Sequence, residues 1–194
     1  METSIFIHPS AIIDEGAQIG INTKVWHFAH LMPQAVVGPD CTIGQNVFID
    51  NGVTLGKGVK IQNNVSVYKG VEIEDEVFIG PSVVFTNVIN PRSFIERKAE
   101  FKQTIVHRGA TIGANATILC GIELGKYCFI GAGAVVTKNV KPFSLVTGNP
   151  ARHVGWISKM GYTLSFNNKG EATCKGSGEH YLMKDDYIYL THQI

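Results

Sequence analysis

The sequence predicts an all-β protein, a parallel β-helix of about seven triangular coils with one extruded loop and a small C-terminal appendage. Three observations predict this fold. A six-residue unit repeats in phase 14 times over residues 7–90, and the same unit resumes over residues 106–147 with seven more copies. The first place of the unit is Ile, Leu or Val everywhere except at Phe85 and Pro142. A strict period of six excludes a helix, whose period is 3.6 residues.

Each unit divides into a strand and a turn. The fifth place is always Ala, Thr, Cys, Val or Ile, so places five, six and one form a short strand whose two ends point inward. Places two to four are rich in Gly, Asn, Asp and Pro, which favour turns. Three strands close one coil of about 18 residues, and stacked coils bury an aliphatic core that no single repeat could bury.

Composition limits the classes of function. The chain has 194 residues and a formal net charge of +1, from 17 basic and 16 acidic side chains. This balance gives no global field that would recruit nucleic acid or an anionic membrane. The N-terminus lacks a basic segment followed by a long apolar run, and no run of about 18 apolar residues occurs. We therefore expect a soluble, cytoplasmic protein.

The cysteines predict neither a metal site nor disulfides. The four cysteines have no C-x-x-C pair and no metal-ligand spacing. Cys41 and Cys128 occupy fifth places four coils apart, which corresponds to about 19 Å at the usual strand spacing. That separation excludes a disulfide between them. We interpret both as small buried hydrophobic residues.

Two corners of the coil carry more aromatic and polar side chains than turns require. Because residues 18 apart stack, His27, Gln45 and Asn63 fall in one column, and Tyr68 and Lys69 lie at the next corner. In an assembly of several chains such corners can face each other and form a polar cleft. We therefore interpret these five residues as part of a binding site.

Two asparagines at the first of these corners allow two interpretations. Asn46 and Asn64 could bind a ligand, or they could only supply the positive φ that a tight turn needs, because Asn tolerates that conformation. The sequence leaves both open.

One interruption of the repeat, residues 90–103, begins just after Asn87. Insertions of this length are uncommon in compact domains unless they act as lids or binding elements. Arg92 and Arg97 within it carry forked donors that suit a phosphate or a carboxylate. The alternative is a solvated run of charges.

The repeat resembles that of the hexapeptide-repeat acyltransferase family, in which an aliphatic residue is often followed by Gly. The resemblance covers residues 7–147 and implies a left-handed coil, a homotrimer and active sites between neighbouring subunits. We accordingly expect a left-handed β-helix acyltransferase domain over residues 1–147, with its loop at 90–103, and a capping appendage over residues 148–194. Within the appendage, VGWISKM at residues 154–160 suggests a helical turn.

Two stretches near the end of the repeat, residues 130–138 and 148–152, resemble the end of the coil in acyl-CoA-dependent members of that family. There the pantetheine arm lies along small residues and basic groups meet the CoA phosphates. The resemblance implies acetyl-CoA as cosubstrate and no metal. The candidate cofactor-binding residues are Gly131, Gly133, Lys138 and Arg152. The alternative for the two glycines is a role in turns and packing.

Longer motifs narrow the resemblance. VWHFAH, VKIQNNVSVYKGVEIEDEVFIGPSVVFTNV, NPRSFIERKAEF and GNPARHVGWIS closely resemble the UDP-2-acetamido-3-amino-2,3-dideoxy-D-glucuronate N-acetyltransferases of bacterial surface-polysaccharide biosynthesis. This implies acetyl transfer to the 3-amino group of a UDP-linked amino sugar. It also implies that Asn87 orients the amine and that Arg97 contacts the uronate carboxylate. Lys69, His107 and the C-terminal extension depart from the pattern.

The chemistry requires an amine to attack a thioester carbonyl. The site must position the amine, take its proton and stabilise the developing oxyanion. His27 or His30 could accept the proton, because imidazole titrates near neutrality. We take Asn87 and His27 as the catalytic candidates and leave the identity of the base open.

Two other functions fit the same fold. One is an O-acetyltransferase of a small molecule. The other is a metal-dependent β-helix of the γ-carbonic anhydrase kind, which needs three histidines that converge between subunits. The positions of His27, His30 and His107 do not suggest such a centre.

Overall fold

The computed structural model describes residues 4–191 and shows an all-β solenoid of about eight turns, consistent with a left-handed β-helix. Three faces of parallel strands enclose one core. Seven coils are complete or nearly so, and one further strand starts an eighth turn, so the count slightly exceeds the seven that the repeats predict.

The first face stacks eight parallel strands. They are Phe6–Ile7, Lys24–Val25, Thr42–Ile43, Lys60–Ile61, Phe78–Ile79, Thr111–Ile112, Phe129–Ile130 and Ser144–Thr147. The second face stacks seven. They are Ile12–Ile13, His30–Leu31, Phe48–Ile49, Ser66–Val67, Val84–Phe85, Thr117–Ile118 and Val135–Val136. The third face stacks six. They are Gln18–Ile19, Val36–Val37, Thr54–Leu55, Val71–Ile73, Thr104–Val106 and Glu123–Leu124.

The inward register is the one that the repeat predicts. Lys60 pairs with Phe78 and Ile61 with Ile79, one coil apart. Ile61 and Ile79 are fully buried, whereas Phe78 is exposed at the sixth place. Burying each such isoleucine stabilises the fold by about 1.5–3 kcal/mol. The stacking of identical places therefore supplies most of the core.

The corners take their shape from residues that accept positive φ. We call the turns from first to second face the first corner, and those from second to third face the second corner. Asn46 and Asn64 at the first corner have φ of 56° and 63°. Both asparagines therefore have the positive φ that the turn interpretation requires, and the side-chain amide of Asn46 also donates to Asn64 Oδ1 at 3.1 Å.

The loop leaves the coil at the second corner, as the interruption predicts. It departs after strand Val84–Phe85 and returns at Thr104–Val106, with a short 3-10 helix at Lys98–Glu100. The amide of Lys102 donates to the carbonyl of Asn87 at 3.0 Å and closes the base of the loop.

The appendage is β structure, so the expected helical turn at residues 154–160 is wrong. Strand Arg152–Ile157 pairs antiparallel with Ser144–Thr147, and Thr163–Leu164 pairs with it in turn. A separate three-stranded sheet follows. Its strands are Glu171–Thr173, His180–Lys184 and Tyr187–Thr191. A small second core around buried Tyr181 joins this sheet to Phe143 at the end of the coil.

All four cysteines are buried and free, as the sequence predicts for Cys41 and Cys128. Within residues 4–191 no helix has the length and apolar character needed to cross a membrane.

Candidate active site

A cavity of about 250 Å³ lies at the first corner. It is lined by His27, Gln45 and Asn63 together with Trp26. The column that the 18-residue spacing defines is thus one contiguous surface. The Oδ1 atom of Asn63 accepts a hydrogen bond from the Gln45 amide at 2.9 Å, so Asn63 also fixes the turn below it.

The ring of His27 is held by stacking. Its centroid lies 3.5 Å from that of His8, and its plane is within 8° of the Trp26 ring at 6.2 Å. Over residues 4–191 neither ring nitrogen of His27 has a protein hydrogen-bond partner. The imidazole is therefore oriented by its faces and keeps both nitrogens for a ligand.

The second corner holds Tyr68 and Lys69 in one coil and Asn87 in the next. The backbone amide of Lys69 donates to Asp50 Oδ2 at 3.1 Å, and the Tyr68 ring packs 6.1 Å from that of Phe48. In the described part of the chain, the side-chain amide of Asn87 has no hydrogen-bond partner. The backbone carbonyl of Asn87 accepts the hydrogen bond that closes the loop. That amide is free to bind a ligand.

One chain does not bring the two corners together. The first and second corners flank opposite edges of the second face, and no contact joins His27 to Asn87 in the described residues. The two catalytic candidates therefore belong to one site only if a second copy of the chain completes it.

The two loop arginines differ in their partners. The Nη1 atom of Arg97 donates to both oxygens of Glu100, at 2.7 and 3.0 Å. The Nε atom of Arg97 is buried and has no partner among the described residues. By contrast, Arg92 is exposed and its Nη1 donates only to the Pro91 carbonyl at 2.8 Å. The guanidinium of Arg92 is the more available of the two.

A cavity of about 530 Å³ lies at the C-terminal end of the coil. It brings together Lys138 and Arg152, the two basic candidates for cofactor phosphates. Sequence reasoning missed the other titratable residues that line it, which are Lys141, His153 and Asp186. The first two follow the basic motifs closely in sequence, but Asp186 is brought there only by the folding of the appendage.

The two candidate glycines lie at the first corner, outside that cavity. A Cβ on Gly131 would meet Thr147 Cγ2 at 2.7 Å, so Gly131 packs closely against that side chain. Gly133 has a φ of +69°, which favours glycine in a turn. Both glycines thus have a role in packing or in a turn, and their contact with the cofactor stays a prediction.

Sequence reasoning also did not predict a cluster formed by His107, Glu74 and Glu123. The Nδ1 of His107 lies 2.8 Å from Glu74 and its Nε2 lies 3.1 Å from Glu123. Burial disfavours the imidazolium, but hydrogen bonds with Glu123 and Glu74 outweigh this and raise the pKa of His107. Glu74 and His107 occupy stacked positions, but the insertion lies between them in the chain. They are therefore 33 residues apart, and the 18-residue spacing of stacked residues does not reveal their contact. Residues 4–191 contain no group of three or more potential ligands suited to a metal ion.

Comparison with known proteins agrees with the repeat. The family model described as bacterial transferase hexapeptide (six repeats) matches residues 16–51, 52–87 and 103–138. A second model, the hexapeptide repeat of succinyl-transferase, matches residues 34–69. The chain belongs to the hexapeptide-repeat family of bacterial transferases. This hexapeptide-repeat transferase uses its repeats to build the coil and the first-corner cavity, and its insertion builds the loop.

Relatives of this hexapeptide-repeat transferase include a dTDP-3-amino-3,6-dideoxy-α-D-galactopyranose 3-N-acetyltransferase from Aneurinibacillus thermoaerophilus. The two are 42% identical over 94% of this chain and 93% of the relative. A hexapeptide-repeat acetyltransferase from Vibrio cholerae O1 biovar eltor, solved with acetyl coenzyme A, has a TM-score of 0.56 and 25% identity over 64% of this chain and 72% of that one. A maltose O-acetyltransferase from Clostridium difficile 630 has a TM-score of 0.52 and 27% identity, covering 66% of this chain and 68% of that one.

Proposed function

We propose that this protein transfers the acetyl group of acetyl-CoA to the 3-amino group of a nucleotide-linked 3-amino sugar. At the coarser level, the chain is an acetyl-CoA-dependent sugar N-acetyltransferase. The observation that carries the proposal is the 42% identity, over nearly the whole chain, with a 3-N-acetyltransferase of such a sugar. The maltose O-acetyltransferase is less similar and covers less of the chain, so O-acetylation stays the alternative.

The C-terminal cavity fits the cofactor. Lys138 and Arg152 give it a cationic lining that suits the phosphates of CoA. Acetyl-CoA supplies the acetyl group as a thioester. The strand Val135–Val136 joins this cavity to the first corner, and the small-residue segment 148–151 pairs with that strand through hydrogen bonds at its ends. This path gives a pantetheine arm a narrow surface to follow.

The sugar end of the proposed site is the second corner. There the unpartnered amide of Asn87 orients the amine, and Tyr68, Lys69 and Arg92 surround the sugar nucleotide. His27, Gln45 and Asn63 come from the first corner of a neighbouring subunit. Three stacking steps, about 14 Å at the usual strand spacing, separate the coil of His27 from that of Asn87. The free ring nitrogens of His27 therefore bind the nucleotide part of the substrate, and the group that takes the proton of the amine stays open.

We propose a homotrimer, because only a second copy can join the two corners. The second face between them supports this arrangement. The outward residues of its described strands are Ile12, His30, Phe48, Ser66, Val84, Thr117 and Val135. None of these is Lys, Arg, Asp or Glu, whereas Lys24 and Lys60 lie outward on the first face. A face depleted of charge suits a contact between subunits.

Light scattering tests the assembly. The expected mass is three times the chain mass of 21.1 kDa. Val84→Lys on the second face should dissociate the trimer and abolish activity, while Thr111→Lys on the first face should do neither. A monomer mass for the unaltered protein at micromolar concentration would refute the trimer.

Two specific sugars are candidates for the acceptor substrate. The long sequence motifs support UDP-2-acetamido-3-amino-2,3-dideoxy-glucuronate, in which an arginine must meet a carboxylate. Arg97 is already bound to the carboxylate of Glu100, which makes it a poor clamp for a second one. The geometry therefore favours a sugar without that carboxylate, such as the 3-amino-3,6-dideoxy sugar of the relative. The uronate remains the second candidate, because Arg92 has no acidic partner among the described residues.

A substrate panel tests the proposal. The purified protein would be given acetyl-CoA with the dTDP-linked 3-amino-3,6-dideoxyhexose, the UDP-linked 3-amino uronate, or maltose, and thiol release would be measured. We expect the highest kcat/KM with the dTDP-linked amino sugar and a product heavier by one acetyl group. Preference for maltose would establish the O-acetyltransferase instead.

A further inference from the structure

We propose that Lys141 is a third binding residue for the phosphates of coenzyme A, and that Asp186 at the tip of the C-terminal hairpin masks it until the cofactor arrives. The inference rests on the proposed function only in taking coenzyme A as the ligand. It assigns a role to the appendage, which the repeat does not explain.

The charges of the C-terminal cavity single out this pair. Lys138, Lys141 and Arg152 all line it. Among the described lining residues Asp186 is the one acidic side chain. It comes from the appendage, 45 residues beyond Lys141 in the chain. The Asp186 carboxylate pairs with Lys141 in a cavity that also holds Lys138 and Arg152. An anion that enters this cavity would compete with that carboxylate for Lys141.

Asp186 of the hairpin loop and Tyr187, the first residue of the following strand, contact the Lys141 ammonium. Its Nζ donates to the Asp186 carbonyl at 3.2 Å and to Asp186 Oδ2 at 3.4 Å. The same nitrogen lies 4.9 Å from the centre of the Tyr187 ring. Lys141 is therefore paired with the appendage.

The backbone fixes where the tip presents this carboxylate. Lys184 pairs with Tyr187, so Asp185 and Asp186 form a two-residue hairpin loop. Their φ values are 51° and 61°, as a type I′ turn requires. Aspartate and asparagine are among the few residues that tolerate this conformation. The carboxylate thus reaches Lys141 from a defined turn.

The contact is suited to being replaced. Asp186 is 79% exposed and Lys141 43%, and ion pairs between such exposed groups are weak. A CoA phosphate is also an oxyanion, with more acceptor atoms and up to two charges. The phosphate can therefore replace the Asp186 carboxylate as the partner of the Lys141 ammonium at little cost. Binding of coenzyme A then releases the hairpin tip.

Asp186→Asn and Asp185→Asn form a matched pair for a test by calorimetry with coenzyme A on the full-length protein. Each removes one negative charge from the same turn, and Asn tolerates both φ values. Asp185 has no side-chain partner among residues 4–191. We expect Asp186→Asn to tighten coenzyme A binding about two- to fivefold, an advantage that shrinks with added salt. Asp185→Asn should bind like the unaltered protein.

Lys141→Ala completes the cycle. It should weaken coenzyme A binding several-fold, and adding Asp186→Asn to it should change nothing further, because the masked group is gone. The KM for S-acetylpantetheine, which has no phosphate, should be the same in all variants. Melting curves check that each variant is folded.

Several results would overturn the inference. They are equal coenzyme A affinity for Asp186→Asn and the unaltered protein, equal tightening by Asp185→Asn, or unaltered affinity in Lys141→Ala. Each of these leaves the proposed function standing. If the unaltered protein fails to bind coenzyme A at millimolar concentration, the proposed function falls and this inference falls with it.

Discussion

The Nδ1 atom of His107 lies 2.8 Å from Oε1 of Glu74, although 33 residues separate the two in the chain. The second nitrogen of the same ring reaches Glu123 in the next coil. One imidazole therefore links three consecutive coils on the outside of the solenoid, next to the point where the inserted loop rejoins it.

This link predicts a pH-dependent stability. Burial opposes the charge of His107, but its hydrogen bonds with Glu123 and Glu74 raise its pKa above the ordinary value of 6.5. A raised pKa in the folded state stabilises the fold fully below the unfolded value, and this contribution is lost as pH rises through the folded value. The melting temperature should therefore fall as pH rises above about 6.5.

The size of the pH effect of His107 on stability, and the variants that control for it, follow from the same contacts. Since the cluster is partly exposed, we expect a contribution of at most about 1 kcal/mol. His107→Ala should remove this part of the pH dependence, and Glu123→Gln should remove about half of it. Differential scanning fluorimetry between pH 5.5 and 8.5 measures it, and a His107→Ala profile parallel to the unaltered one would contradict the assignment.

The burial of Ile79 predicts a sharp contrast with its neighbour. Ile79→Asp places a carboxylate in the core without a partner and should unfold or aggregate the chain. Phe78→Asp is its matched control, because Phe78 points outward from the same strand. Circular dichroism melting distinguishes them. A soluble Ile79→Asp variant with unaltered melting would show that the inward register is wrong.

Asn87→Ala should lower kcat and leave the KM for acetyl-CoA nearly unaltered. Loss of one orienting hydrogen bond to the amine should raise the barrier by about 1–3 kcal/mol. The control is Asn51→Ala in the same column, whose amide donates to the Pro33 carbonyl at 2.8 Å and so has a structural role. Steady-state kinetics measure both, and unaltered rates in Asn87→Ala would remove it from the site.

Glu100→Gln tests what the loop arginine can bind. Without the Glu100 carboxylate, Arg97 becomes available to an acidic sugar, so the ratio of kcat/KM for the uronate over the uncharged sugar should rise, by about two- to tenfold. The double variant Glu100→Gln, Arg97→Ala should lose that gain. If the protein instead prefers the uronate before any change and Arg97→Ala alone abolishes this preference, Arg97 is the clamp that the sequence motifs imply.

The repeat predicts the coil well because each place in the unit has one environment. Ile61 and Ile79 are buried and Phe78 is exposed for the same reason, their place in the six-residue unit. The helical turn expected at residues 154–160 is wrong because strand Arg152–Ile157 pairs with Ser144–Thr147, and such pairing overrides local preference.

The site was harder to predict because it depends on contacts outside the period. The spacing of Arg97 and Glu100 suits a pair within one helical turn, but only the 3-10 helix at Lys98–Glu100 makes them partners. Asp186 lies in a segment with no repeat, so no column places it beside Lys141. His27 and Asn87 can be assigned to corners from the sequence, but a single chain does not bring those corners together.

The closed base of the loop also makes the coil a natural scaffold for grafting. The hydrogen bond from Lys102 to Asn87 ties the two ends of the insertion together, and the strands on either side stack without regard to what lies between them. The entropy cost of closing such a loop grows only slowly with its length. A segment of another length or sequence could therefore be exchanged here, giving a series of proteins that share one solenoid and differ in the molecules that they accept.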